Sequence, residues 1–152
     1  MSGFPLPEPM RRALDLAGEA ARAGEVPVGA VITAGGQIIA EARNAMRGMD
    51  DPTAHAEIVA IRAAGAALGQ ARLDGCALWV TLEPCAMCAA AIGLARIATL
   101  TFAAEDPKGG GVLHGPRIFT QPTCHHRPEI YSGIGEAEAA AQLQTFFAAR
   151  RE

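Results

Sequence analysis

Apolar residues at Met10, Leu14, Ala17 and Ala21 recur three and four positions apart, with Gly24 behind them, which predicts a helix over residues 10–23. Two short apolar runs follow, at 28–33 and 37–42. The turn-forming Ala34-Gly35-Gly36 between them makes the pair an antiparallel hairpin. Residues 54–68 read as a second helix, with Thr53 offering a side-chain oxygen as cap and Gly69 as terminator. Ala56, Ile58, Val59, Ile61 and Ala64 cover nearly every face of it, so it is expected to be mostly buried. Residues 76–82 read as a strand, 85–95 as a helix and 99–104 as another strand. A strand, helix and strand of this length form a right-handed crossover between parallel strands.

Glycines, prolines and histidines crowd residues 105–135, where the pattern supports one short strand near 129–131. Residues 136–150 form a final helix, with acids at its start, arginines at its end and Leu143, Phe146 and Phe147 on one side. The sum is an α/β fold, with helices on both faces of a mixed sheet of about five strands.

Composition adds limits. The chain has 152 residues, 50% of them apolar and 19% charged, and is expected to form one domain, 1–152, around a buried core. Residues 1–9 are proline-rich and unlike a leader, and the apolar run 84–95 is too short to span a bilayer. No membrane partner is expected, and a cytoplasmic location is the default. A net charge of −3 gives no global electrostatic case for nucleic acid. Between residues 96 and 127, however, Arg96, Lys108, Arg117 and Arg127 with three histidines outnumber Glu105 and Asp106. That is either a patch able to position RNA through its phosphates or an uneven solvated surface.

Candidate chemistry concentrates in His55-Ala56-Glu57 and Pro84-Cys85-Ala86-Met87-Cys88. One imidazole and two thiols supply three zinc ligands and leave a fourth tetrahedral position for water, as in catalytic zinc sites. Cys85 and Cys88, three apart, share one side of a helix's first turn, and Pro84 suits the entry to that helix. The positive end of the helix favours thiolate over thiol. His55 and Glu57, two apart, would point about 200° away from each other on an ideal helix. They can share an ion only over a helix end, so two helix N-termini are predicted to converge on the metal. Glu57 is the candidate to take the water's proton, deliver it to a ring nitrogen and later protonate a departing amine. The order H-x-E then P-C-x-x-C is the signature of zinc nucleobase deaminases. A structural site closed by Cys76, Cys124 or a loop histidine is the alternative.

Beyond that signature, Thr53-Ala54-His55-Ala56-Glu57-Ile58, the run from Val80 through Cys88, and the closing Phe146-Phe147 with Arg150-Arg151 resemble the bacterial tRNA-specific adenosine deaminases. The likeness runs over about residues 10–151. It implies a cytidine deaminase-like three-layer α/β/α fold, a homodimer, and hydrolytic conversion of the wobble adenosine of an arginine tRNA anticodon loop to inosine, releasing ammonia. It implies one Zn2+ per chain on His55, Cys85 and Cys88, with Glu57 moving protons. Asn44 would orient the flipped base and Val28 would wall its pocket. Asp106 and Lys108 would touch neighbouring nucleotides, and Phe147 would line the anticodon loop.

Each of these has a plainer alternative: Asn44 as a turn residue, Asp106 and Lys108 as a solvated loop, Phe147 as core. The chain also departs from the family pattern. His125-His126-Arg127 stands for a usual Asn-His-Arg, Ala45 for an arginine and Ala103 for a glycine. Cys124-His125-His126 reads as an RNA-facing loop with a spare thiol, because adjacent residues rarely converge on one ion. Two other functions stay open. A deaminase of a free base such as guanine or cytosine shares the metal signature, whereas a zinc-stabilised binding module would have no need of Glu57.

Overall fold

The computed structural model describes residues 5–150; Arg151, the last of the paired arginines, lies outside them. Helix α1 (Glu8–Arg22) starts two residues before the expected position. Pro7 is its N-cap, and a proline in the first turn gives up only an amide that has no partner there. Strands β1 (Gly29–Ala34) and β2 (Gln37–Arg43) form the expected hairpin, which turns through Gly35 and Gly36, both at positive φ. Helix α2 (Ala56–Leu68) ends on Gly69 in the left-handed conformation. Then come β3 (Ala77–Leu82), α3 (Ala86–Ala95), β4 (Thr99–Ala104), a 3-10 turn at Ile118–Thr120, β5 (Glu129–Ser132) and α4 (Glu136–Ala148).

The sheet order is β2-β1-β3-β4-β5. β1 is antiparallel to β2 and β3, while β3, β4 and β5 run parallel. Alternation along the strands divides the core in two. Ala30, Ile32, Leu78, Val80, Leu100 and Phe102 pack with Ala56, Ala60 and Ala64 of α2 and with Ala89, Ile92 and Ala95 of α3. Val31 and Ala103 point to the other side, toward Met10, Ala13 and Leu14 of α1 and Ala139 of α4. The result is the expected three-layer α/β/α arrangement, with apolar residues packed against both faces of the sheet.

Strand polarity gathers one set of chain segments at one end of the sheet. The start of β1, the end of β2, the end of β3 and the end of β4 all lie there, as the pairings Gly29 with Arg43, Ala30 with Val80 and Leu82 with Ala104 require.

Two local expectations fail. Thr53 does not cap α2, because its hydroxyl and amide both bond to Asp51 Oδ1, at 2.7 and 2.8 Å, and the helix starts later. Nor is α2 mostly buried: Ala56, Glu57, Ala60 and Ala64 are, whereas Ala63, Ala66, Ala67 and Leu68 are exposed. Its apolar outer side has no partner within the described chain.

Candidate functional site

The gathered end of the sheet carries two helix starts. His55 is the N-cap of α2 and Cys85 the N-cap of α3, both with extended backbone, at φ −69°, ψ 152° and φ −71°, ψ 176°. A cap residue is outside the helical spiral, so the 200° separation expected of His55 and Glu57 on an ideal helix does not apply. His55 Nδ1 lies 3.6 Å from Cys85 Sγ and 3.5 Å from Cys88 Sγ. All three ligand atoms are within 4.8 Å of one another.

These spacings suit a particular ion. With zinc–nitrogen near 2.0–2.1 Å and zinc–sulfur near 2.3 Å, a tetrahedral angle puts nitrogen and sulfur roughly 3.5–3.6 Å apart. Both nitrogen–sulfur separations fit the ion, and among the described residues no other His, Cys, Asp or Glu joins these three. The predicted convergence of two helix N-termini is what the structure shows.

Electrostatics at the site follow from those helix starts. The Cys88 thiol, by hydrogen bonding, draws Cys85 down to about 5 against the opposing effect of burial, and the Cys88 and Met87 amides assist. Cys88 moves the other way, raised by the same bond and by burial. Glu57, in the first turn of α2, is only 4% exposed, and burial pushes its carboxyl up to about 7.

Asn44 and Val28 lie beside the start of α2. Asn44 is buried at the end of β2, and its Oδ1 accepts the Ala56 amide hydrogen at 2.8 Å. It therefore supplies the helix cap that Thr53 does not. Its backbone N–H donates to Val28 O at 3.0 Å, which sets buried Val28 beside it.

Asp106, Lys108 and Phe147 are not beside the ligands. They line a groove of about 730 Å³ with Val26, Leu82, Glu105, Leu143 and Arg150. Asp106 Oδ1 accepts the Lys108 and Gly109 amides, so this carboxylate shapes its own loop. Phe147 is 44% exposed and meets Phe146 edge-on, while the Arg150 guanidinium lies 3.6 Å from the Phe146 ring centre. Arg150 had no assigned contact in the sequence, although its place one turn beyond Phe146 and Phe147 was a usable signal.

The basic residues between 96 and 127, which read either as an RNA-positioning patch or as an uneven solvated surface, do not share one groove. Arg96, His125 and His126 line a second groove against α3, on the other side of the sheet from α4. Cys124 donates to His126 O, and His126 Nε2 lies 2.7 Å from Ile97 O, so this loop is fastened beneath α3, away from Lys108. Among the described residues no helix is long and apolar enough to cross a membrane.

The three-layer fold and a His/Cys/Cys cluster with an adjacent buried glutamate define the nucleobase deaminase class, and MafB19-like deaminase matches residues 7–151. Similarity to individual proteins narrows the class. The tRNA-specific adenosine deaminase of Agrobacterium fabrum is 54% identical over 142 residues, covering 93% of each chain. A solved structure from work on A-to-I editing by tRNA:A34 deaminases superposes with a TM-score of 0.88 at 55% identity, over 89% of this chain and 98% of that one. Guanine deaminase of Bacillus subtilis superposes with a TM-score of 0.67 at 34% identity, over 98% and 96%. The chain belongs to the family of tRNA-specific adenosine deaminases.

Proposed function

We propose that this protein is a zinc-dependent hydrolase of tRNA processing, which converts the wobble adenosine of an arginine tRNA anticodon loop to inosine and releases ammonia. One observation carries the chemistry: an imidazole nitrogen at zinc-like distance from each of two thiol sulfurs, with a buried carboxylate in the adjoining helix turn. His55, Cys85 and Cys88 would hold one Zn2+ per chain, and the ion when bound would supply Lewis-acid activation of a water.

Glu57 manages the protons. It takes one from the water as the oxygen adds to the ring carbon bearing the amine, and passes it to the adjacent ring nitrogen. It then carries the second proton from the new hydroxyl to the amine, the carbon–nitrogen bond breaks, and ammonia leaves. Its burial keeps these protons from bulk water.

Substrate choice rests on other residues. Asn44 Oδ1 is occupied by Ala56, so its amide nitrogen is the group available to hydrogen-bond a flipped base, with Val28 as apolar wall. An anticodon loop presents unstacked bases, so flipping one costs little. Exposed Phe147 offers a stacking surface, and Lys108 and Arg150 offer cations to the neighbouring nucleotides and their phosphates, with Asp106 holding Lys108 in its turn.

A homodimer fits the remaining surface. Helix α3 carries no charged residue and exposes Met87, Ala90 and Leu94, the last 82% exposed, beside the exposed alanines and Leu68 of α2. A second copy covering this face would bury what the monomer leaves bare. A cytoplasmic setting would keep its four free thiols reduced.

The test is incubation of purified protein with an arginine tRNA anticodon stem-loop, free guanine and free cytosine, with ammonia and inosine measured. Inosine at the wobble position is expected. Ammonia from a free base alone would favour the guanine-deaminase reading that the Bacillus subtilis likeness supports.

A further inference from the structure

Glu83 sits directly before Pro84-Cys85 and is 2% exposed, yet it takes no part in the chemistry above. Its Oε1 accepts the Asp106 amide at 3.0 Å and lies 2.8 Å from His114 Nδ1. Its Oε2 accepts the amides of Val112, Leu113 and His114 at 3.1, 2.8 and 3.1 Å. Every donor comes from one loop, residues 106–114. With both oxygens engaged, Glu83 has no free lone pair to aim at a substrate.

The loop is pressed close as well as bonded. A Cβ on Gly110 would fall 2.4 Å from Glu83 Oε2, and one on Gly111 would fall 2.6 Å from Ala86 N at the start of α3. Only glycine permits that approach. The Gly111 amide also donates to Pro84 O at 2.8 Å. From this anchorage the loop reaches the groove by two routes. Asp106 fixes the Lys108 turn, and His114 Nε2 lies 3.6 Å from Glu105 Oε1. Glu105, Asp106 and Lys108 all line the groove.

We propose that Glu83 is a positioning residue that locks the groove loop, residues 105–114, to the Cys85 end of the metal site, setting the distance between where the flanking nucleotides bind and where the base reacts. This rests on the groove being where RNA lies. A buried carboxylate is suited to the task because one group can gather many amides that the loop cannot pair within itself.

The experiment compares wild type with Glu83→Gln and, because that variant exchanges an acceptor for a donor in a buried site, also with His114→Ala. Three quantities are read: bound zinc, KM and kcat on the anticodon stem-loop, and amide hydrogen exchange. The expected result for Glu83→Gln is zinc retained at wild-type stoichiometry and KM raised roughly tenfold, with kcat changed far less. Faster exchange should be confined to residues 106–114, with α2 amides unchanged. His114→Ala should show the same pattern more weakly. Unchanged exchange in the loop in both variants would overturn the proposal, as would a fall in kcat with KM untouched. Should wild type fail to deaminate the stem-loop, the RNA reading fails, while the exchange pattern still decides the part played by Glu83.

Discussion

Asn44 Oδ1 accepts the amide hydrogen of Ala56 at 2.8 Å, so the end of one strand caps the helix that presents His55 and Glu57. Asn44→Ala should cost about 1–2 kcal/mol, since it removes a cap and strands a buried donor. Asn44→Asp keeps the oxygen and should retain most of that stability, yet lose activity because the amide nitrogen facing the base is gone. Urea unfolding and turnover of both variants separate the two roles. Equal destabilisation by both would refute the cap.

Glu57→Ala should reduce turnover by about 10²- to 10⁴-fold or more, because proton transfer on both sides of the reaction depends on this carboxylate. Bound zinc, measured by atomic emission, should stay at one per chain. A variant that lost its zinc would reassign Glu57 as a ligand.

Cys88→Ala would remove one of the three proposed ligands; Cys88 lies in the first turn of α3 and is fully buried. Zinc content should fall, and thermal stability with it, because binding energy at such a site is also folding energy. Chelator should lower the midpoint of wild type, and should shift the variant little.

Leu94→Glu places a charge at the C-terminal end of the exposed α3 stripe without disturbing the core, from which Leu94 points away. Light scattering on an eluting column should report a dimer for wild type and a monomer for the variant. A variant that stays dimeric would move the interface elsewhere.

Arg11 reaches from α1 to Glu138 on α4, with Nη1 2.9 Å from Oε1. Hydrogen bonding to Arg11 holds the Glu138 carboxyl below its ordinary value, against a small effect of burial. The stabilisation is therefore complete above the ordinary glutamate range and disappears as pH falls through the lowered value. Both side chains are largely exposed, so Glu138→Gln should cost only about 0.5 kcal/mol at pH 7 and nothing in strong acid. Melting curves at the two pH values test it.

What the sequence made legible is what depends on neighbours in the chain. Cys85 and Cys88 meet at the start of α3 by their spacing, one as its N-cap and one in its first turn, and the strands announce themselves as apolar runs bounded by glycine. The cap of α2 was hidden because its oxygen comes from twelve residues upstream, while the local candidate, Thr53, is engaged by Asp51. Glu83 was hidden for the same reason: its donors lie 23 to 31 residues further on. The apolar outer face of α2 looked like core, because hydrophobic pattern does not distinguish a residue buried by its own chain from one left exposed.

The pairing of strands has a practical result. Val28, Asn44, Cys85 and Asp106 stand at one end of the sheet, and the hairpin turn at Gly35-Gly36 stands at the opposite end, with no heavy atom within 4 Å of where either side chain would be. A fluorophore, an affinity handle or a fused domain attached at that turn would project along the strand axis, away from the candidate metal site. The molecule can be tethered there without passing through its catalytic end.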